Sequence, residues 1–413
     1  MRLSITGTRR PLSGTVRVPN SKYHAHRALI LASLAPGTST IIGLTQAKHV
    51  AYTVDLLRGL GVRVVRRGDR FVIDGGGYHP VSDVVSAGSS GSTLYFTLGL
   101  ACLADAPITV TGQKYFRRRP VAPLLRALTE MGVRLDSADG CPPVRVRPGR
   151  PTGGTVHISG SLSQWISGLL LLAPFATGRT VIEIDDEPNE RPYLKLTVDM
   201  MRKFGLTVAH SADWRRFEIE PDQQAVPTTI QLPPDLGSAA FGFATAALHP
   251  SDIVFQGLPS LHAADHPEAA VLDIVQRMGL SLTAGPEATV RARHDGSRLA
   301  PTTMDCRDIP DLLPVLSAMA AFADGTTVFE NISHVRLKES DRASAMLQLN
   351  RMGADLELQG DRLVVHGVPS LRGADVSSFN DHRVLMSLAV AATRAIGRTT
   401  LTYPNAYRIS YPE

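Results

Sequence analysis

The feature that most constrains this 413-residue chain is that it repeats itself six times. An apolar stretch closing on glycine and followed by alternating apolar residues recurs as LLRGLGVRVV, LLRALTEMGVRL, DMMRKFGLTV, DIVQRMGLSL and LQLNRMGADL. Its glycines, Gly61, Gly132, Gly205, Gly279 and Gly353, stand 71, 73, 74 and 74 residues apart. Glycine takes the left-handed conformation that closes a helix, and alternation suits a half-buried strand, so each phrase predicts a helix, a C-cap and a strand. A second phrase keeps the same beat six times: LAPGTSTI, LADAPITV, FATGRTVI, LHPSDIVF, FADGTTVF and RAIGRTTL. Each reads as a helix end, a tight turn and a strand. A period this regular must be settled before any local reading, because it fixes the architecture as an array of α/β units.

Counting back 15 residues from each turn of the second phrase gives Lys22, Gly91, Ser163, Leu236, Pro310 and His382. Each position opens a polar or glycine-rich start followed by an apolar helix, such as ALILASLA or VLMSLAVAA. Helix N-termini carry unsatisfied N–H groups and about half a positive charge, so six such starts in two groups of three predict an anion-binding cleft between two domains. Ordinary capping by Ser, Asn and Asp accounts for the polarity of these starts but not for the cations beside them.

Composition narrows the class. A 43% hydrophobic, 20% charged chain of this length is a folded protein of about two domains. No apolar run reaches the roughly 18 residues of a membrane span, and the N-terminal residues lack the apolar core of a signal peptide. Cys102, Cys141 and Cys306 lie far apart without a CxxC, which fits a reducing cytoplasm. The net charge of +5 favours anionic partners. With aromatics at 6% and no basic stripe interleaved with them, a small anionic substrate is favoured over nucleic acid. The 13 histidines include no HxxxH-type pair with carboxylates, and His24 and His26 face different sides of a helix, so no metal is expected.

The cations gather in a few motifs. VRLKESDR places Lys338 and Arg342 four apart, on one face if the segment is helical, with Glu339 and Asp341 available to neutralise them. NSKYHAHR carries Lys22 and Arg27, and FNDHR offers Asn380 or Asp381 as a cap with His382 and Arg383 behind it. YFRRRP sets Arg119 before Pro120, a favourable first helical residue, with Arg117 and Arg118 read as a loose surface cluster. Asp311 follows Pro310 at another predicted start. An acid and a base among fixed cations suit addition–elimination on a phosphorylated small molecule.

Together, PNSKYHAHRAL, AGSSGST, RRRPVAPLLRAL, GSLSQWISGLLLLAP, RPYLKLTVDMMRKFG, DIPDLLPVLSAMAAFADG, RLKESDRASAM and FNDHRVLMSLAVAA resemble, in order, the signatures of 5-enolpyruvylshikimate-3-phosphate synthases. The resemblance implies a two-domain inverted α/β prism, each domain three βαβαββ repeats around buried parallel helices. It places residues 1–18 with 229–413 in one domain and 19–228 in the other, with closure on ligand. It implies enolpyruvyl transfer from phosphoenolpyruvate to a hydroxylated acceptor by a monomeric cytoplasmic enzyme without cofactors. By motif, Lys22, Gly91, Arg119 and Gln164 would hold the donor phosphate, and Arg342 and Arg383 its carboxylate. Asp311, with Lys338 beside it, would take the acceptor's proton. Glu339 and Lys22 would move protons at the donor's methylene carbon, and His382 joins the catalytic set. Tyr23, Arg27, Leu162, Ser163, Glu190, Tyr193, Asp311, His334 and Lys338 would face the acceptor.

This chain departs from the family pattern mainly on the acceptor side. Tyr23 stands where a serine is usual, Leu162 replaces the first of a phosphate-binding serine pair, and Glu190 replaces another such serine. His334 stands for an asparagine. The run from Ser89 to Tyr95 lacks a customary asparagine and arginine, and Ile409, beside Arg408, replaces a lysine. A carboxylate near a bound phosphate is unfavourable, so these changes predict an acceptor other than shikimate 3-phosphate. The alternatives are ordinary 5-enolpyruvylshikimate-3-phosphate synthase activity, a lyase or dehydratase acting on a shikimate-like cyclic acid, and a non-catalytic anion-binding homologue.

Overall fold

The computed structural model describes residues 2–117, 119, 121–258, 261 and 265–412. Arg118 and Pro120, and the side chain of Arg117, lie outside the described residues. The chain forms two compact units, Asn20–Pro233 and Met1–Pro19 with Pro234–Glu413.

The first unit holds α1 (Lys22–Leu34), α2 (Lys48–Gly59), α3 (Gly91–Leu100), α4 (Ala122–Glu130), α5 (Ser163–Leu172) and α6 (Arg191–Lys203). The second holds α7 (Leu236–Ala247), α8 (Ala270–Arg277), α9 (Leu313–Ala320), α10 (Arg342–Met346) and α11 (His382–Arg394). The odd-numbered helices other than α11 are built almost wholly of apolar and small residues past their first turn, which marks helices buried on every side. All thirteen residues of α1 are buried. In one unit α3 packs on α5 and α1 reaches α3 and α6; in the other α7, α9 and α11 pack on one another. The helices α2, α4, α6 and α8 bury one apolar face and leave the other to solvent.

Five of the six buried helices start at the residue chosen by the 15-residue offset. The exception is α9, which starts at Leu313 rather than Pro310. A turn closed by Leu312 N–H to Ile309 O comes first and leaves Asp311 outside the helix. The repeating glycines behave as the pattern predicts: Gly61, Gly132, Gly205, Gly279 and Gly353 all have positive φ, from 78° to 118°.

Each four-stranded sheet combines one parallel pair with an antiparallel hairpin. Gly154–Ile158 and Thr180–Ile184, the strands on either side of α5, pair in parallel, and Arg216–Ile219 with Ala209–His210 extends the sheet antiparallel. The two chain crossings exchange strands. Leu12–Arg17, which precedes α1, pairs in parallel with Ser251–Gln256. Thr229–Gln231, which precedes α7, pairs instead with Gly37–Ile42. Leu3–Thr6 joins Arg398–Leu401 antiparallel and completes the sixth sheet. Among the described residues no helix is long and apolar enough to cross a membrane.

Candidate active site

In the Asn20–Pro233 unit the helix starts carry the predicted residues. Lys22 opens α1, buried, with its Nζ 5.2 Å from the centre of the Tyr23 ring. Tyr23 in turn meets Tyr193 edge-on at 5.3 Å. One turn later Arg27 is buried and engaged with the protein itself. Its Nε donates to Thr197 Oγ1 at 2.7 Å, Nη1 to Tyr23 O at 3.0 Å and Nη2 to Tyr193 O at 3.2 Å. Its guanidinium also lies 4.8 Å over Phe96. Burial lowers the Arg27 pKa, while Tyr193, Glu190 and Tyr23 oppose the shift. The residue ties α1 to α6.

At the start of α3, Ser90 Oγ accepts from Thr93 N at 3.1 Å. A side chain at Gly91 would place its Cβ 2.7 Å from Arg119 Nη1, so glycine here lets a guanidinium lie against the helix end. Arg119 is buried over Tyr95 and Phe116, 5.5 and 5.8 Å from the ring centres. Gln164, on the first turn of α5, donates to Ser92 Oγ at 3.0 Å. Gly91, Arg119 and Gln164 therefore converge on one helix N-terminus, where N–H groups, a guanidinium and an amide suit a phosphate.

The start of α5 is different. Leu162 occupies the cap position and has no hydroxyl to offer. Glu190, from the start of α6, supplies the acceptor instead, its Oε2 receiving Ser163 N at 3.2 Å and Ser163 Oγ at 2.5 Å. Glu190 is 1% exposed and sits in the left-handed region at φ 62°, a conformation that costs a non-glycine residue about 1 kcal/mol or more. This helix N-terminus, an anion site by its dipole, holds a carboxylate of the protein.

In the second unit the charges are interlocked. Arg342 is 1% exposed and contacts three carboxylates: Nε to Asp381 Oδ2 at 2.9 Å, Nη1 to Asp311 Oδ1 at 2.6 Å and Nη2 to Glu339 Oε2 at 2.6 Å. Burial opposes its charge, but Asp381, Glu339 and Asp311 outweigh that and raise its pKa. Arg383, also buried, donates from Nη1 to Asp311 O at 2.8 Å, and its Nη2 lies 3.1 Å from Asp311 Oδ2. Asp311 thus bridges two arginines. Asp381 caps α11, accepting Arg383 N at 2.8 Å, and places His382 as the first, buried residue of that helix.

The KESDR segment is not one helix, so Lys338 and Arg342 do not share a helical face. Lys338 ends a short 3₁₀ turn, Ser333–Leu337, in extended backbone. Asp341 then caps a new helix by accepting Ser344 N at 3.0 Å, which makes Arg342 its first residue. A strong N-cap residue inside the motif starts a fresh helix there. His334 is buried in the 3₁₀ turn, and Lys338 and Glu339 are half-buried. Arg408 is exposed and donates to Tyr407 Oη at 3.3 Å.

The family model for EPSP synthase (3-phosphoshikimate 1-carboxyvinyltransferase) matches residues 6–413. The chain belongs to this family. It is 35% identical over 411 residues to a 3-phosphoshikimate 1-carboxyvinyltransferase of Methanocorpusculum labreanum, covering 98% of this chain and 95% of the relative. A relative of the same name from Methanocaldococcus jannaschii is 32% identical, with 97% and 94% covered. Among solved structures, EPSP synthase from Acinetobacter baumannii aligns with a TM-score of 0.80 at 26% identity, covering 99% of this chain and 95% of that one. The enolpyruvyl transferase NikO from Streptomyces tendae shares the fold at a TM-score of 0.79 and 20% identity, over 99% and 94% of the two chains. As a member of the EPSP synthase family, the chain is a carboxyvinyltransferase.

Motif reading missed one charged group of this EPSP synthase-family site. Glu268 is fully buried, with Oε1 3.5 Å from Arg383 Nη2, and no basic motif flanks it in the sequence. The repeat holds a signal for it. Counting back 11 residues from each helix-ending glycine gives Val50, Val121, Leu194, Glu268 and Arg342. All five are buried, yet only the last two are charged.

Proposed function

We propose that this enzyme moves the enolpyruvyl group of phosphoenolpyruvate to a hydroxyl of a small acceptor. The observation that carries the proposal is Asp311 held between Arg342 and Arg383, with Glu339 on the same guanidinium. Two guanidiniums fixed by carboxylates present a rigid set of donors for a substrate carboxylate. The N-terminus of α3 with Arg119 and Gln164 suits a phosphate. In the proposed reaction the acceptor oxygen adds to C2 of phosphoenolpyruvate as its proton passes to Asp311, and C3 takes a proton to become a methyl group. The C2–O bond to phosphate then breaks as the methyl group loses a proton, which restores the double bond and releases inorganic phosphate. Glu339 and Lys22 are the groups proposed for the two proton transfers at carbon.

Shikimate 3-phosphate is the acceptor that the relatives' names support. A second reading is favoured by one specific observation: Glu190 occupies the N-terminus of α5 with a buried carboxylate, at a position where the family pattern has a phosphate-binding serine. A carboxylate there repels an acceptor phosphate and suits a hydroxyl, an amine or a guanidinium.

Phosphate release from phosphoenolpyruvate, measured with shikimate 3-phosphate, shikimate, nucleotides and amino-polyols, separates these readings. Turnover with shikimate 3-phosphate supports the first, and turnover confined to an unphosphorylated acceptor supports the second. If Glu190 excludes phosphate, Glu190→Ser combined with Leu162→Ser raises the rate with shikimate 3-phosphate; an unchanged rate sinks that account. Water loss from shikimate alone, with no phosphate release from any acceptor, overturns the transferase reading.

A further inference from the structure

We infer that Glu268 is a positioning residue that orients the Arg383 guanidinium for an anionic substrate group; this rests on the proposed role of Arg383 in binding the donor carboxylate. The first support is the repeat. Counted back from the helix-ending glycine, Glu268 and Arg342 fall at the sequence offset that holds Val50, Val121 and Leu194 in the other unit, and all five are buried. The other unit fills that offset with apolar residues, and a buried charge is unfavourable unless it is paired.

The second support is geometry. Glu268 Oε1 lies 3.5 Å from Arg383 Nη2, the nitrogen that also faces Asp311 Oδ2 at 3.1 Å. Asp311 is shared with Arg342, and Glu268 brings Arg383 a further carboxylate. Arg383 Nη2 therefore faces two carboxylates.

The third support is the space kept for the pair. Gly237, on the first turn of α7, faces Glu268 directly: a Cβ there would fall 1.7 Å from Glu268 Oε2 and 3.2 Å from Arg383 Nη2. Glycine inside a helix is less favourable than alanine, and here the missing side chain admits both charged groups. His266 steadies the backbone of the same segment, its Nδ1 accepting Glu268 N at 3.1 Å.

The test uses the full-length protein and its Glu268→Gln and Glu268→Asp variants, titrated separately with phosphoenolpyruvate and inorganic phosphate. Glu268→Gln should weaken phosphoenolpyruvate binding about tenfold while leaving inorganic phosphate unchanged, with Glu268→Asp between the two. Wild-type affinity for phosphoenolpyruvate in Glu268→Gln, or an equal loss for inorganic phosphate, overturns the inference. Should the wild-type protein bind no phosphoenolpyruvate, the donor reading fails. Crystal structures then decide the positioning role by themselves: an Arg383 guanidinium displaced in Glu268→Gln supports it, and one in its wild-type place overturns it.

Discussion

In the Asn20–Pro233 unit the buried helices are preceded by Ser21, Ser90 and Leu162; in the other unit they are preceded by Asp235, Leu312 and Asp381. The same repeat therefore presents its helix dipoles in two ways. At α1 and α3 the residue before the helix is a serine rather than a carboxylate, and Arg119 adds positive charge at the start of α3. At α7 and α11 aspartate caps face the positive ends, and Arg342 and Arg383 bring positive charge that is fixed by carboxylates. The first arrangement favours binding of a strongly charged anion such as a phosphate. The second gives up net positive charge for fixed orientation, which suits groups that must bind and also exchange protons. Glu190 is the place where the first unit adopts the habit of the second.

The largest expected effect that tests this contrast is on stability. Arg342→Met leaves Asp311, Glu339 and Asp381 around an apolar side chain and should cost about 3–5 kcal/mol. Arg27→Met, in the other unit, removes a buried guanidinium that donates to two carbonyls and a hydroxyl, and should cost about 1–3 kcal/mol. Urea unfolding followed by fluorescence measures both. Equal losses would mean that the carboxylates do not set the two units apart.

How much of this was legible in the sequence follows from which forces are local. Repeat spacing identifies the first residue of five buried helices and the five left-handed glycines that end helices, because caps and helix ends are written within a few residues. Lys22, Arg119, Arg342 and Arg383 stood out because each lies in a dense polar motif. Asp311 was found, but its position before α9 was not, since that depends on a turn and on two arginines 31 and 72 residues away. The break in KESDR was readable in principle, as Asp341 is a strong cap three residues before Ser344. Glu190 could be recognised as a departure, but that it caps α5 depends on contact across 27 residues. Glu268 is the clearest miss: its signal is a charge at a repeat position that is apolar throughout the other unit.

A glycine pair sharpens the contrast at lower cost. Gly237→Ala drives a methyl group against the buried Glu268 carboxylate, and overpacking of that kind costs about 1–3 kcal/mol. Gly91→Ala meets the far end of the Arg119 side chain, which can swing aside, so the helix-propensity gain should offset most of the strain. Thermal unfolding of the two variants should therefore show a clear fall in Tm for Gly237→Ala and little change for Gly91→Ala. The reverse order would show that Arg119 is held as tightly as Glu268.

The smallest expected effect concerns pH. Burial lowers the pKa of His266 to about 4, with Asp235 opposing the shift and Arg383 adding to it. The folded protein therefore keeps this imidazole neutral at pH values where the unfolded chain, with an ordinary value near 6.5, already binds a proton. The unfolded state holds more protons between about pH 4 and 6.5, so the contribution of His266 is fully present above that window and declines as pH falls through it. Between pH 7 and 5.5 the loss amounts to about 1 kcal/mol from this residue. Buried His26, in the other unit, is shifted the same way by burial and by His49, Lys22 and Arg27, so wild-type stability should fall more steeply than one histidine accounts for. His266→Gln should remove about 1 kcal/mol of that fall and leave the His26 share in place, as read from urea midpoints at the two pH values. A His266→Gln profile parallel to wild type would mean that Asp235 already holds the imidazole charged, and that the carboxylates of this unit reach further than Arg342 and Arg383.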